Sequence, residues 1–312
     1  MATESFSLVV ANLFVGMLRN HRFLPSGITI GRIGYDLFRL EPSVVVTDGR
    51  VTPDAIATSA RQGHALVAEW TADVSVEERK KQQVAGYAKI RSADLITYGV
   101  PSNEAQTFDV WIVVPTEGAT PYAEHFQKKG YGFGLASFRL ATDEQPEYEL
   151  AHVCGGFSNS ALSSALQQTW HLERIPRGYL PFSIDDLASH GLAENIAQQL
   201  VAFSVRGTQA FTVEELCRGM VPVWQRLDVA KRRAVAGATL RVLNSWSRRG
   251  LVASWLKRAK EIPPTWQILL PTGLDRDRFR RALRSCLTKV QRDIAAGQGE
   301  LPLHEDASGD EE

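Results

Sequence analysis

The stretch PDAIATSARQGHALVAEWTADVSVEERKKQQVAGY, Pro53–Tyr87, decides the fold. Its two apolar runs, Asp54–Thr58 and Ala65–Thr71, flank the turn-forming Ser59–His64 and predict a pair of strands. Ser75 followed by Glu78 has the Ser-x-x-Glu pattern of a capping box and predicts a helix running to about Ile90. Asp54 falls at the start of the first strand and Glu69 near the end of the second, so both carboxylates reach one end of the sheet. Two carboxylates there can hold Mg²⁺ through oxygen ligands. Gln83 and Tyr87, four residues apart, share a helix face, and Lys80 sits on that face one turn earlier. Taken singly, each residue also has a plain structural reading. Asp54 suits a turn or cap, Glu69 an exposed strand end, and Gln83 with Tyr87 ordinary packing on a half-buried helix.

Outward from this stretch, Phe6–Asn20 has helical periodicity and Ser43–Thr47 is rich in β-branched residues. Phe108–Pro115 is the strongest strand pattern in the chain, followed by a helix near Pro121–Lys129 and a strand at Gly132–Leu140. Strands alternating with helices predict an α/β fold built around a mixed sheet flanked by helices. Composition changes near residue 155, where Gly155-Gly156 and the serine-rich Ser158–Ser164 suggest a hinge. The expected organisation is an α/β domain over 1–150, a helical linker region over 151–205, a helix-rich domain over 206–272, a basic helix over 273–298 and a disordered acidic tail over 299–312.

The ordered set Pro53-Asp54, Glu69-x-Thr71 and Gln83-x-x-x-Tyr87 resembles the restriction-endonuclease-like PD-(D/E)xK superfamily, especially its RecB-type branch with a Gln-x-x-x-Tyr helix. The resemblance covers about residues 30–140. It implies that Asp54 and Glu69 bind Mg²⁺ and that Gln83 and Tyr87 contact DNA or support the site. The family lysine, two residues after the Glu, orients or activates the attacking water; here that position is Thr71. A threonine carries no charge and cannot stand in for an ammonium beside an anionic nucleophile or phosphate. Two accounts follow. Lys80 or Lys81 reaches in from the helix, or the site is catalytically inactive and the domain is a platform for DNA or a partner protein.

The C-terminal half points to DNA independently. Formal charge over the whole chain is zero, yet residues 206–292 carry 19 Lys/Arg against 6 Asp/Glu. Thr212 with Glu215 has the pattern of a helix start, and Lys231–Arg248 is a strongly basic helix ending at Gly250. The short strands Leu251–Leu256 and Trp266–Leu270 follow. Helix, helix and basic hairpin is the order of a winged helix-turn-helix, in which the second helix enters the major groove. Arg241, Asn244, Ser245, Arg248 and Arg249 are its groove candidates, with Lys231, Arg232 and Arg233 at the approach, and Lys257, Arg258 and Lys260 its wing tip. Winged helices also mediate protein contacts. Trp224, Trp246, Trp255 and Trp266, among apolar neighbours, suit packing rather than base stacking.

An apolar fraction of 44% with 22% charged residues is that of a soluble globular protein. Three widely spaced cysteines, Cys154, Cys217 and Cys286, suit a reducing cytoplasm rather than a disulfide framework or a zinc cluster. Phe6–Leu18 is too short to span a bilayer. His64, His125 and His152 lack metal-ligand spacing and read as surface or loop residues. No Walker lysine motif, Gly-x-Ser-x-Gly or dinucleotide fingerprint is present. The expected function is DNA binding with a nuclease-like domain, in a bacterial defence, mobile-element or DNA-processing assembly with protein partners and no membrane. The alternatives are an active Mg²⁺-dependent DNA endonuclease or exonuclease, and a winged-helix transcriptional regulator with a partner-binding N-terminal domain.

Overall fold

A computed structural model describes residues 5–184, 187, 190–249, 252–259 and 265–295. The chain divides into two compact units, one formed by residues up to Leu180 together with Arg226–Asp228, the other by the rest.

The first unit is α/β. It opens with helix α1 (Phe6–Leu18), then β1 (Asp36–Leu40) and the hairpin β2 (Val44–Val46) and β3 (Gly49–Val51). Next come β4 (Ala55–Ser59), β5 (His64–Trp70), α2 (Glu78–Tyr87), α3 (Ser92–Tyr98), β6 (Thr107–Pro115), α4 (Ala119–Lys129), β7 (Gly134–Arg139), β8 (Tyr148–Cys154), α5 (Ser160–Leu166) and β9 (Thr169–Leu172). One mixed sheet holds seven of these strands in the order β1-β4-β5-β6-β7-β8-β9. The β5–β6 and β6–β7 pairs are parallel, bridged by α2–α3 and by α4, and the remaining pairs are antiparallel. All seven residues of β5 are buried. That is why its sequence shows a continuous apolar run instead of alternation: both faces of a central strand are covered. On one face Phe14 of α1 packs against Trp70 and Trp111. On the other, Ala65 and Val67 join a core with Val84 and Tyr87 of α2 and Tyr122 and Phe126 of α4.

Three expectations need correction here. The sheet does not stop at residue 150, because β8 and β9 pair to extend it and the unit runs to Leu180. Residues 151–205 are therefore not a helical linker. Gly155 is no hinge either: it has φ +75° and lies against the backbone of Phe133, so a Cβ there would overlap the Phe133 carbonyl. Asn159 then caps α5 by accepting from the amides of Ala161 and Leu162. Finally, α2 starts at Glu78 with Glu77 as its extended cap residue, and Ser75 makes no cap.

The second unit contains α6 (His190–Arg206), β10 (Ala210–Thr212), α7 (Val213–Met220), α8 (Val229–Arg249), β11 (Leu256–Arg258), β12 (Thr265–Ile268) and α9 (Gly273–Ala295). Its three strands form an antiparallel sheet in the order β10-β12-β11. Thr212 and Glu215 make the expected capping box at the start of α7. Trp224, Trp246 and Trp266 are buried, and Trp255 meets Phe279 edge to face. The strand expected over Leu251–Leu256 is displaced to Leu256–Arg258, since Trp255 and Leu256 both donate their amides back to the Val252 carbonyl in a turn. Cys154, Cys217 and Cys286 form no disulfide with any described residue. Among the described residues, no helix is long and apolar enough to cross a membrane. Residues 299–312 lie outside the described residues.

Candidate active site

Strand geometry sets the first two residues. Pro53 and Asp54 lead into β4, which pairs antiparallel with β5 in the register Ala55↔Ala68. Asp54 and Glu69 therefore meet at the same sheet end. The Asp54 carboxylate accepts the Trp70 amide at 2.6 Å. Residues 65, 67 and 69 share one face of β5, and Ala65 and Val67 pack on the side of α2. Glu69, 3% exposed, thus points toward that helix.

Helix α2 answers with three side chains. Lys80 Nζ donates to Glu69 Oε1 at 3.2 Å and to Gln83 Oε1 at 2.7 Å. Gln83 Nε2 donates to Glu69 Oε1 at 2.8 Å and to the Tyr87 hydroxyl at 2.8 Å. The Tyr87 hydroxyl in turn donates to Glu69 Oε2 at 2.5 Å. All five expected residues, Asp54, Glu69, Lys80, Gln83 and Tyr87, converge. The spacing of 80, 83 and 87 on one helical face and the inward side of β5 suffice to produce this. Thr71 is buried, and its hydroxyl donates to the Asp73 carboxylate at 2.8 Å. Lys80 supplies the cation beside Glu69; Lys81 pairs instead with Glu78 on the surface.

Electrostatics are unusual for neutral pH. Burial, followed by repulsion from Glu69 and then Glu41, pushes the Asp54 carboxyl well above the usual carboxylate range, against the pull of the Trp70 amide and Lys80. Burial also raises Glu69, opposed mainly by Lys80 and Tyr87. Burial and the Glu69 charge raise the Tyr87 hydroxyl, so it stays protonated and donating. Two desolvated carboxylates that repel each other suit a divalent cation. Among the described residues no cluster of three or more His, Cys, Asp and Glu could hold a metal. Mg²⁺, however, is commonly bound by one or two carboxylates, with water and phosphate oxygens completing its shell. The pair falls short of a full protein cage, so only a metal that keeps water or phosphate oxygens in its shell could use it.

Two residues escaped the sequence reading. Glu41 bears on the Asp54 charge, and its amide donates to the Asp54 carbonyl at 2.8 Å. It sits at φ +51°, a conformation rare for a non-glycine residue and frequent where function fixes the backbone. No sequence signal marks it. Tyr122 is fully buried, and burial and the nearby Asp73 charge raise its hydroxyl above the usual range.

The histidine reading needs correction. His64 is 1% exposed, at the opposite end of β5 from Glu69. Its Nδ1 meets the Tyr35 hydroxyl at 2.8 Å, and its Nε2 meets Asp109 at 3.1 Å and Ser158 at 3.3 Å. With both imidazole nitrogens partnered, this cluster ties β5, β6 and the start of α5 together. His125 lies on α4 and half-buried His152 on β8, neither in a loop.

In the second unit, Arg241 and Arg248 are exposed on α8 with half-buried Asn244 between them, on one helical face. Ser245 is exposed beside them. Lys231 and Arg232 are half-buried and Arg233 exposed near the start of α8, and the Arg232 guanidinium reaches Gln225 at 3.4 Å. Lys257 and Arg258 are exposed on β11. Arg249 is the last residue of α8, and Lys260 and Gly250 lie outside the described residues.

Comparison with known protein families, curated protein sequences and solved structures returns no match for this chain.

Proposed function

We propose that the protein is a Mg²⁺-dependent phosphodiesterase acting on DNA, with a PD-(D/E)xK-type domain followed by a winged helix-turn-helix. The observation that carries this is Lys80 Nζ at 3.2 Å from Glu69, which supplies from α2 the positive charge that Thr71 lacks. The order of helix, three antiparallel strands, helix and parallel strand in α1, β1, β4, β5, α2 and β6 agrees with the resemblance. In the second unit, the order α6-β10-α7-α8-β11-β12 with sheet order β10-β12-β11 supports the winged-helix reading. Its α8 would present Arg241, Asn244 and Arg248 to DNA.

Asp54 and Glu69 would hold Mg²⁺, which when bound supplies Lewis-acid stabilisation of a phosphoryl group. The Lys80 ammonium lends a positive charge to the anionic oxygens that develop beside Glu69. Gln83 holds Lys80 through its carbonyl and Glu69 through its amide, fixing both in one geometry. Tyr87 orients the second Glu69 oxygen and keeps its proton because burial disfavours the phenolate.

One observation favours a second reading, a non-catalytic DNA-binding adaptor in a multi-protein assembly. Glu69 already accepts from Lys80, Gln83 and Tyr87, so most of its acceptor capacity is used. Purified protein incubated with linear, nicked and supercoiled DNA plus Mg²⁺ or Mn²⁺ separates the two. Cleavage that disappears in Glu69→Ala supports the phosphodiesterase. Intact DNA, still bound by both proteins, sinks it in favour of the adaptor. On duplex DNA, an Arg241→Ala/Arg248→Ala variant is expected to lower the slope of log K against log salt by about 1.8, at about 0.9 per phosphate contact.

A further inference from the structure

A polar groove of about 640 Å³ lies between α2 and the β2–β3 hairpin, and its lining includes Gln83, the residue that holds Glu69 and Lys80. Its floor is set by close approach of helix and hairpin. A Cβ on Gly86 would lie 2.7 Å from Val51 Cγ1, so only glycine lets α2 seat this tightly. The polar lining is mostly basic and amide-bearing: Arg50 and Asp48 come from the hairpin, Arg79 and Gln82 from the helix, and Lys89 from just beyond it. Positions 79, 82 and 86 recur at helical spacing, which places them along one side of α2, and Lys89 follows just beyond its end.

The charges in the groove are not all spent within the protein. Lys89 pairs with Asp48 at 3.1 Å, both exposed. The side chains of Arg50 and Arg79 have no hydrogen bond or ion pair to any described residue. Two guanidiniums lining one groove, beside a Gln83 that is hydrogen-bonded to Glu69, suit phosphate oxygens, which Arg binds through its planar fork. No aromatic side chain lines the groove, so nothing offers a platform for base stacking. A volume of this size is that of a small-molecule site, room for part of one strand but not for a duplex.

We propose that this groove is a backbone track for a single nucleic-acid strand, in which Arg50 and Arg79 bind the phosphates next to the bond presented to Asp54 and Glu69. The proposal rests on the phosphodiesterase reading for its direction of travel, and it adds residues and a strand class that the resemblance does not supply. The track reads phosphate, not bases, so binding is independent of sequence.

The test uses the full chain in EDTA, with a single-stranded oligothymidylate as probe. Arginine-selective modification by phenylglyoxal is read residue by residue by mass spectrometry, and affinity is measured across a salt series. The oligonucleotide is expected to protect Arg50 and Arg79 but not exposed Arg61 near the other end of the sheet. In an Arg50→Ala/Arg79→Ala variant, the slope of log K against log salt should fall by about 1.4, at about 0.7 per contact on a single strand. Equal modification of Arg50 and Arg79 with and without oligonucleotide, with an unchanged slope, overturns the track. Protection by a duplex and not by the single strand overturns the strand class. Protection in a wild type that never cleaves DNA leaves the track standing and removes only the phosphodiesterase. Metal-dependent cleavage with unprotected arginines does the reverse.

Discussion

Replacing Lys80 by methionine tests the central claim, because it removes the ammonium and keeps the length of the side chain. Glu69 would lose its cationic partner at 3.2 Å while only 3% exposed. A buried charge stripped of its partner costs about 3–5 kcal/mol. Glu69 keeps two donors, Gln83 and Tyr87, and can take up a proton, which brings the loss to about 1–2 kcal/mol. For a domain of this size that lowers Tm by about 2–8 °C. The effect on chemistry should be larger, about 10²–10³ in kcat, the usual loss on removing one charged stabiliser. Calorimetry gives the first quantity and plasmid cleavage with Mg²⁺ the second. The pair is separable from mere stability by Glu69→Gln/Lys80→Met, which regains most of the lost Tm and none of the activity. Cleavage by Lys80→Met as fast as wild type, in a preparation where Glu69→Ala is inactive, would refute the assignment and reduce Lys80 to an ion-pair partner.

Two further outcomes are expected. Asp54→Asn should unfold at a higher temperature than wild type without metal, since it removes a desolvated charge repelled by Glu69 and Glu41 yet keeps an acceptor for the Trp70 amide. Mg²⁺ at a hundred times its Kd should then stabilise the wild type by about 2.7 kcal/mol and leave the variant unmoved; equal shifts in both would take Asp54 out of any cation site. At the other sheet end, burial alone would raise the Asp109 carboxyl, but hydrogen bonds from His64 and the Ser158 amide outweigh it and hold it below the usual range. A depressed carboxyl stabilises the fold above its unfolded pKa and loses that contribution as pH falls through its folded value. The Tm gap between wild type and Asp109→Asn should hold near neutrality and close in acid below about pH 4. A gap that persists to the lowest pH would show that the cluster does not carry this linkage.

Much of the site was legible because its members sit on regular elements. Asp54 and Glu69 follow from strand register, and Lys80, Gln83 and Tyr87 from helical spacing, both of which are periodic in sequence. Glu41 was invisible because its role depends on a left-handed backbone at a turn, which no periodicity encodes. His64 was misread because its partners, Tyr35, Asp109 and Ser158, come from three distant segments joined only by the sheet. The boundary near 150 failed for a related reason. Gly155-Gly156 and the serines after them look like a linker by composition, yet they make the tight turn and cap between two strands of one sheet. The second unit followed its sequence more closely, since the Thr212–Glu215 cap and the basic α8 are local signals.

Helix α2 has a further consequence for how the protein comes together. It is ten residues long, has no side-chain cap at its start, carries Gly86 in its last turn and buries only Val84 and Tyr87. A segment of that kind does not persist alone in water. What anchors it to the sheet, besides those two residues, is the set of hydrogen bonds that Lys80, Gln83 and Tyr87 make to Glu69. The Glu69 carboxylate is thus a template: the helix acquires its order by docking onto it. A chain that has failed to form this cluster therefore also lacks one wall of the groove between α2 and the hairpin.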